Sequence, residues 1–298
     1  MQYKDINKTI ISSKEVSPLV QKNKEFYDYL LANNVAYYYA TKVSTATNEY
    51  ESEIIKTGDS FNNQMFKTLQ LVKSVCEENN IEFALFKTYK HIPEAVDGDV
   101  DLFVREKDFY RFLELMKNNG FACFEDAPLK GRCEKEGYAK LEPRVTVSFH
   151  GMEVFGEAEV WKNITEVTVG DLKVLSASKG FDALCLLLNG LYGPKYLRLY
   201  LYLLAKDIPE EEMLNIASKK ALRGDISFVY KELLSEKSLS KKFPLFLGDT
   251  KFFEWWLKRI AFNPSYNLKG RARHLAFFYF SKYKYLLFNR LHFEHKWL

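Results

Sequence analysis

The sequence predicts an α+β fold: a mixed β-sheet flanked by helices, followed by an all-helical C-terminal region. Three observations carry that prediction. Apolar residues recur at helical spacing through residues 17–80, short strand-like runs replace them between Ile81 and Val174, and after Ser176 the alternation stops and long helical runs begin.

Taken in order, Ser17-Pro18 suits a helix start, because serine caps the first turn and proline tolerates it; Phe26, Tyr29, Leu30 and Tyr37 then follow at helical spacing. Thr57-Gly58-Asp59-Ser60 predicts a break. After it, Met65, Leu69, Val72, Val75 and Cys76 define a second amphipathic helix that ends at Glu77-Glu78-Asn79-Asn80. Residues 81–87 read as a strand, a polar loop follows, and residues 99–104 read as a second strand. A helix over 107–117, apolar at Phe109, Phe112, Leu113, Leu115 and Met116, stops at Asn118-Asn119-Gly120. Residues 121–124, 138–141, 145–150 and 152–155 are short strands with Gly151 a turn, and 167–174 adds one more strand or hairpin arm. Further helices follow, broken at Gly193-Pro194, Asp207-Ile208-Pro209, Arg223-Gly224-Asp225, Phe243-Pro244 and Asn263-Pro264. The expected organisation is a helical extension over residues 1–57, an α/β domain over 58–175 and a helical domain over 176–298.

Within this frame Asp99-Val100-Asp101 stands out. Alternate side chains of a strand share a face, so both acids emerge side by side while Val100, Leu102 and Val104 point the other way. Burying two like charges is costly unless a cation lies between them. The pair therefore predicts a divalent metal site, whose oxygen ligands suit magnesium or manganese and a phosphate-bearing substrate.

Composition narrows the class. Hydrophobic residues make up 47% and charged residues 28%, ordinary for a soluble globular protein, so disorder is not the default. Residues 251–298 hold 15 of the 47 aromatics and ten Lys or Arg against two Glu, so this segment carries +8 while the whole chain carries +4. A basic segment interleaved with aromatics suits contact with nucleic acid or an anionic membrane surface. The four cysteines, Cys76, Cys123, Cys133 and Cys185, lack any C-x-x-C pair, which points to free buried thiols in a reduced cytoplasmic protein. The N-terminus has no secretory pattern and no apolar run reaches membrane-spanning length. The expected location is cytoplasmic, with surface membrane association through the basic segment.

These residues resemble the polymerase-β-like nucleotidyltransferase superfamily, including an uncharacterised branch of it. Phe83-Ala84-Leu85-Phe86-Lys87 is similar to its first strand, Asp99-Val100-Asp101 to its two-acid strand, and Val145-Thr146-Val147-Ser148-Phe149-His150 to its later strand; Thr88 lies eleven positions before Asp99, as the pattern requires. Thr88-Tyr89 stand where the superfamily places small residues, and Ser148 stands at its third acid. The resemblance implies a nucleotidyltransferase-like fold over about residues 60–175 and transfer of a nucleoside monophosphate from a nucleoside triphosphate to an acceptor hydroxyl on a small molecule, a glycan precursor or RNA. It implies Asp99 and Asp101 as metal ligands for Mg2+ or Mn2+ and catalytic residues. Lys87, Thr88, Lys90 and Ser148 become substrate-binding candidates, and His150 a base or phosphate contact. The third carboxylate stays open between Glu142, Glu153 or Glu157, and a site with two acids only. Two competing readings accompany it: a catalytically silent binding module of the same fold, and a nucleotide-sugar glycosyltransferase, which also holds its metal with Asp-x-Asp.

Overall fold

The computed structural model describes residues 3–12, 22–44, 48–87, 99–149, 152–192, 196–217, 222–234, 239–240 and 245–246. The chain opens with helices α1 (Tyr3–Ser12), α2 (Lys24–Ala32) and the short α3 (Ala36–Tyr38), which runs into a π turn over Tyr39–Val43. The Asn23 side chain caps α2 by accepting the Phe26 amide at 3.1 Å. Helix α4 (Glu49–Glu78) begins with a capping box in which the Asn48 side chain accepts from the Glu51 amide and Glu51 reaches back to the Asn48 amide.

The expected break at Thr57–Ser60 does not occur, and α4 runs through it. Gly58 is buried there, and a Cβ in its place would overlap the Tyr37 ring, whose hydroxyl donates to Asp59 Oδ1 at 2.5 Å. This glycine serves close packing of α3 on α4 rather than termination of the helix.

Strands β1 (Phe83–Phe86) and β2 (Asp99–Val104) follow, then α5 (Phe109–Asn118) after a 3-10 turn, then β3 (Ala122–Ala127), β4 (Lys130–Glu134) and β5 (Lys140–Arg144). A hairpin of β6 (Val147–Phe149) and β7 (Met152–Phe155) stands apart from the main sheet and leads to α6 (Glu157–Trp161). Strands β8 (Ile164–Val169) and β9 (Leu172–Ala177) form a second hairpin, turned at Gly170 with φ +62°. Helices α7 (Lys179–Tyr192), α8 (Leu199–Ala205), α9 (Glu210–Ile216) and α10 (Arg223–Leu234) complete the helical region, joined by the strand pair β10 (Tyr196–Leu197) and β11 (Leu245–Phe246).

The main sheet is seven-stranded and mixed, in the order β3-β4-β5-β2-β1-β9-β8, with β2 parallel to β5, β1 parallel to β9 and the other pairs antiparallel. One face packs on α4 and α5: Leu69, Val72, Phe109 and Phe112 cluster with Leu85, Val100, Leu102, Val104 and Leu141. The other face carries Ala84, Phe86 and Phe103 into a core shared by α1, α2 and α7–α10. Strands covered on both sides read as near-continuous apolar runs, as β1 and β2 do. The fold is thus the predicted α+β arrangement, with helices on both faces of the sheet.

One expectation about the thiols is corrected. Cys123 on β3 and Cys133 on β4 are register partners, 4.1 Å apart at Cα, and form a disulfide. Directly opposed positions of an antiparallel pair bring side chains within bonding reach. Cys76 and Cys185 are free and buried. Among the described residues no helix is long and apolar enough to cross a membrane, and residues 251–298, the basic aromatic segment, lie outside the described residues.

Candidate active site

The site lies where β2 begins, between β1 and β5. Val100, Leu102 and Val104 pack toward α4 and α5, which turns Asp99 and Asp101 to the opposite face with Phe103. On one side Asp101 is in register with Phe86, on the other with Glu142, while Asp99 is in register with Lys140. The third carboxylate beside the pair is therefore Glu142, held inside a strand. The expected later strand over 145–150 does not border β2; β5 occupies that place, and Val147–Phe149 belongs to the separate hairpin. Pro143 sits within β5 opposite Leu102, and a proline in a central strand hides that strand from a sequence reading.

Burial separates the three acids. Asp101 is 3% exposed, whereas the side chains of Glu142 and Asp99 retain 13% and 26%. Among the described residues, four cations surround them. Lys87 Nζ lies 2.7 Å from Asp101 Oδ2. The Arg144 guanidinium donates through Nη2 to Asp101 and, at 3.3 Å, to Glu142 Oε2. Lys140 donates to Glu142 and lies 3.9 Å from Asp99 Oδ2, and Lys130 stands 3.8 Å from Glu142 Oε2.

Burial alone would raise the Asp101 pKa, but Lys87 and Arg144 outweigh it and hold the carboxyl below its ordinary value. Burial and the charge of Asp101 both push Glu142 up, and Lys140 with Lys130 holds it below its ordinary value all the same. Both groups are ionised at neutral pH.

Lys87 directly follows β1 with φ +66°, a left-handed conformation costly for a residue with a side chain. Its amide donates to Asp182 Oδ1 at 2.9 Å, and Asp182 is fully buried in the first turn of α7. That bond pins the backbone from which the Lys87 ammonium reaches Asp101. Arg144 is 9% exposed and stacks 5.4 Å from the Phe86 ring centre, and its buried Nε has no hydrogen-bond partner among the described residues. A buried unpaired guanidinium donor beside a basic cluster is suited to an anionic oxygen.

Of the candidates read from the sequence, Asp99, Asp101, Glu142 and Lys87 come together here. Ser148 is exposed on β6, where it pairs with Glu153. Glu157, in α6, accepts the Glu106 amide at 3.4 Å and lies 3.8 Å from Arg105. Thr88, Lys90 and His150 lie outside the described residues. Sequence reading did not single out Lys130, Lys140, Arg144 or Asp182. The one available signal was the alternation Lys140-Leu141-Glu142-Pro143-Arg144, which puts three charges on one strand face.

Two solved structures resemble this chain. One is the solution structure of the antibiotic-resistance factor ANT(2'')-Ia, at 11% identity over 56% of this chain and 95% of that one, with a TM-score of 0.43. The other is the crystal structure of ANT(2'')-Ia in complex with adenylyl-2''-tobramycin, at 12% identity over 57% of this chain and 96% of that one, with a TM-score of 0.35. No family model matches the chain, and no curated protein matches it.

The donor chemistry of Asp99, Asp101 and Glu142, three carboxylates on adjoining strands, fits magnesium or manganese. Among the described residues no three acidic, histidine or cysteine side chains form a ready-made ligand set. The carboxylates instead face Lys87, Lys130, Lys140 and Arg144.

Proposed function

We propose that this protein is a metal-dependent nucleotidyltransferase that moves a nucleoside monophosphate from a nucleoside triphosphate to an acceptor hydroxyl. The observation that carries the reading is the register of Asp101 with Glu142, which sets a third carboxylate beside the Asp-x-Asp pair. In the proposed roles, Asp99, Asp101 and Glu142 hold a divalent ion, which when bound supplies Lewis acidity at the phosphate and neutralises charge on the leaving pyrophosphate. Lys87, Lys140 and Arg144 bind phosphate oxygens, with Arg144 offering its Nε, which has no hydrogen-bond partner among the described residues. Glu142, ionised at neutral pH, accepts the proton of the acceptor hydroxyl. The hydroxyl oxygen bonds to the α-phosphorus, the bond from that phosphorus to the bridging oxygen breaks, and pyrophosphate departs.

The test is to incubate the protein with each labelled triphosphate, Mg2+ or Mn2+ and cell extract. Label transfer that the Asp99→Asn/Asp101→Asn variant lacks is the expected result. No transfer together with no metal-dependent nucleotide binding would overturn the reading. The occupation of every carboxylate by Lys or Arg favours one alternative, a catalytically silent binding module. Nucleotide binding without turnover of any triphosphate would select it.

A further inference from the structure

The backbone of Lys87 is held in a conformation that its own side chain disfavours. Its φ of +66° lies in the left-handed region, which glycine adopts freely and lysine does not. A glycine there would relieve the strain, but it would carry no ammonium to Asp101, which Lys87 Nζ meets at 2.7 Å. The turn therefore needs a hold from outside, and Asp182 supplies one. Its Oδ1 accepts the Lys87 amide at 2.9 Å across 95 positions of chain, and it is fully buried. A carboxyl buried to that degree is costly unless its oxygens are bonded. The first turn of α7 is itself fixed. The Asp182 amide donates to the Ser178 carbonyl at 2.9 Å, and Ser178 Oγ accepts the Phe181 amide at 3.3 Å. Next to Asp182, Phe181 packs on Phe103 with ring centres 6.5 Å apart, and Phe103 packs on Phe86 at 4.4 Å. Phe86 precedes Lys87 and Phe103 follows Asp101 by two positions, so this row of rings ties α7 to both strands that carry the ion pair.

We infer that Asp182 is a positioning residue of the candidate site: by holding the Lys87 amide it keeps the left-handed turn closed, sets the Lys87 ammonium at Asp101, and so links the helical region to the end of β1. What Lys87 binds there rests on the function proposed above, whereas its placement by Asp182 does not. The role needs an oxygen acceptor at this position, which asparagine keeps and alanine lacks.

The experiment uses the full chain and reads each lysine separately, by acetylation with a succinimidyl ester followed by mass spectrometry. Lys140 is the internal control, since its side chain is 25% exposed against 23% for Lys87 and it too is paired with a carboxylate. Asp182→Asn is expected to label like the wild type at both positions. Asp182→Ala is expected to label faster at Lys87 with no change at Lys140. A thermal melt confirms folding, and Asp182→Ser, whose oxygen stops one bond short, stands in should Asp182→Ala fail to fold. In parallel, affinity for an α,β-methylene nucleoside triphosphate should fall on the order of 10–100-fold in Asp182→Ala, the worth of a hydrogen bond to a charged group. The same change should cost nothing further in a Lys87→Gln background. Unchanged Lys87 labelling in the folded Asp182→Ala protein, equal acceleration at Lys87 and Lys140, or an additive loss in the double variant overturns the inference and leaves the nucleotidyltransferase reading standing. Selective release of Lys87 in Asp182→Ala, together with a wild type that binds no nucleotide, upholds the inference and overturns that reading.

Discussion

Asp101 and Glu142 face each other across the parallel β2–β5 pair, with the Arg144 guanidinium donating to both carboxylates. Like charges in adjacent strand positions repel, and a cation shared through one nitrogen, Nη2, converts that repulsion into a joint attraction. The arrangement makes the three residues one electrostatic unit.

Asp101→Asn is expected to abolish label transfer. Glu142→Gln, which removes the proposed proton acceptor, is expected to lower the rate by about 10²–10⁴-fold. Single-turnover assays with matched nucleotide affinities check both. Asp101→Ala should also destabilise the fold by about 3–5 kcal/mol, because it removes the carboxylate that Arg144 and Lys87 share and leaves Arg144 only its longer contact to Glu142. Denaturant unfolding measures that loss.

The acid limb of stability should depend on the same pair. A carboxyl whose pKa is lower folded than unfolded stabilises the protein above its unfolded value, and that contribution is lost as pH falls through the folded value. Asp101 and Glu142 are both of this kind, since neighbouring cations outweigh the opposing effect of burial. Tm is thus expected to lose their contribution below about pH 4 and to retain it at neutral pH. The Asp101→Asn/Glu142→Gln variant should show a shallower acid limb in melts at stepped pH.

Gly58→Ala should be destabilising even though alanine is the better helix former. The new methyl group overlaps the Tyr37 ring, and overpacking of this kind costs about 1–3 kcal/mol. The companion variant Gly58→Ala/Tyr37→Ala, which opens space for the methyl, should show a smaller penalty from the glycine change than Gly58→Ala alone. Urea midpoints of the four proteins complete the cycle.

Thiol labelling should separate the cysteines by burial and bonding. Burial pushes the Cys76 thiol up to about 12, so at pH 8 it is protonated and unreactive in the folded protein. Unfolding without reductant should expose Cys76 and Cys185 only, and unfolding with reductant should add Cys123 and Cys133. Mass spectrometry of the alkylated protein reads both states.

Much of the architecture was legible because local pattern and tertiary burial agree. In β2 the alternation of Val100, Leu102 and Val104 with two acids reports a strand with one wholly apolar face, which is how it packs. Legibility failed where a residue type carries two meanings. Gly58 reads as a breaker by propensity, but its lack of a side chain is used for contact with Tyr37, a partner that no local window contains. Pro143 argues against a central strand, and Glu142 falls between the expected strands 138–141 and 145–150, whereas both residues lie within β5. Strand β4 has no predicted counterpart, since Lys130-Gly131-Arg132 shows no apolar alternation, and with it the Cys123–Cys133 pairing went unseen. The cations of the site come from β1, β4 and β5, and only the sheet order brings them together.

The core shared by the first and last described helices sets a constraint on how the chain folds. Ile6, Ile10, Phe26 and Leu30 bury themselves among Phe181, Leu184, Leu203 and Ile226, and Asn7 Nδ2 donates to the Leu239 carbonyl at 3.0 Å. On a ribosome α1 and α2 emerge long before those partners, so their apolar faces wait while the sheet is made. Closure over so long a separation is slow. The apolar faces of α1 and α2 therefore find their cover only once α7, α8 and α10 have been made.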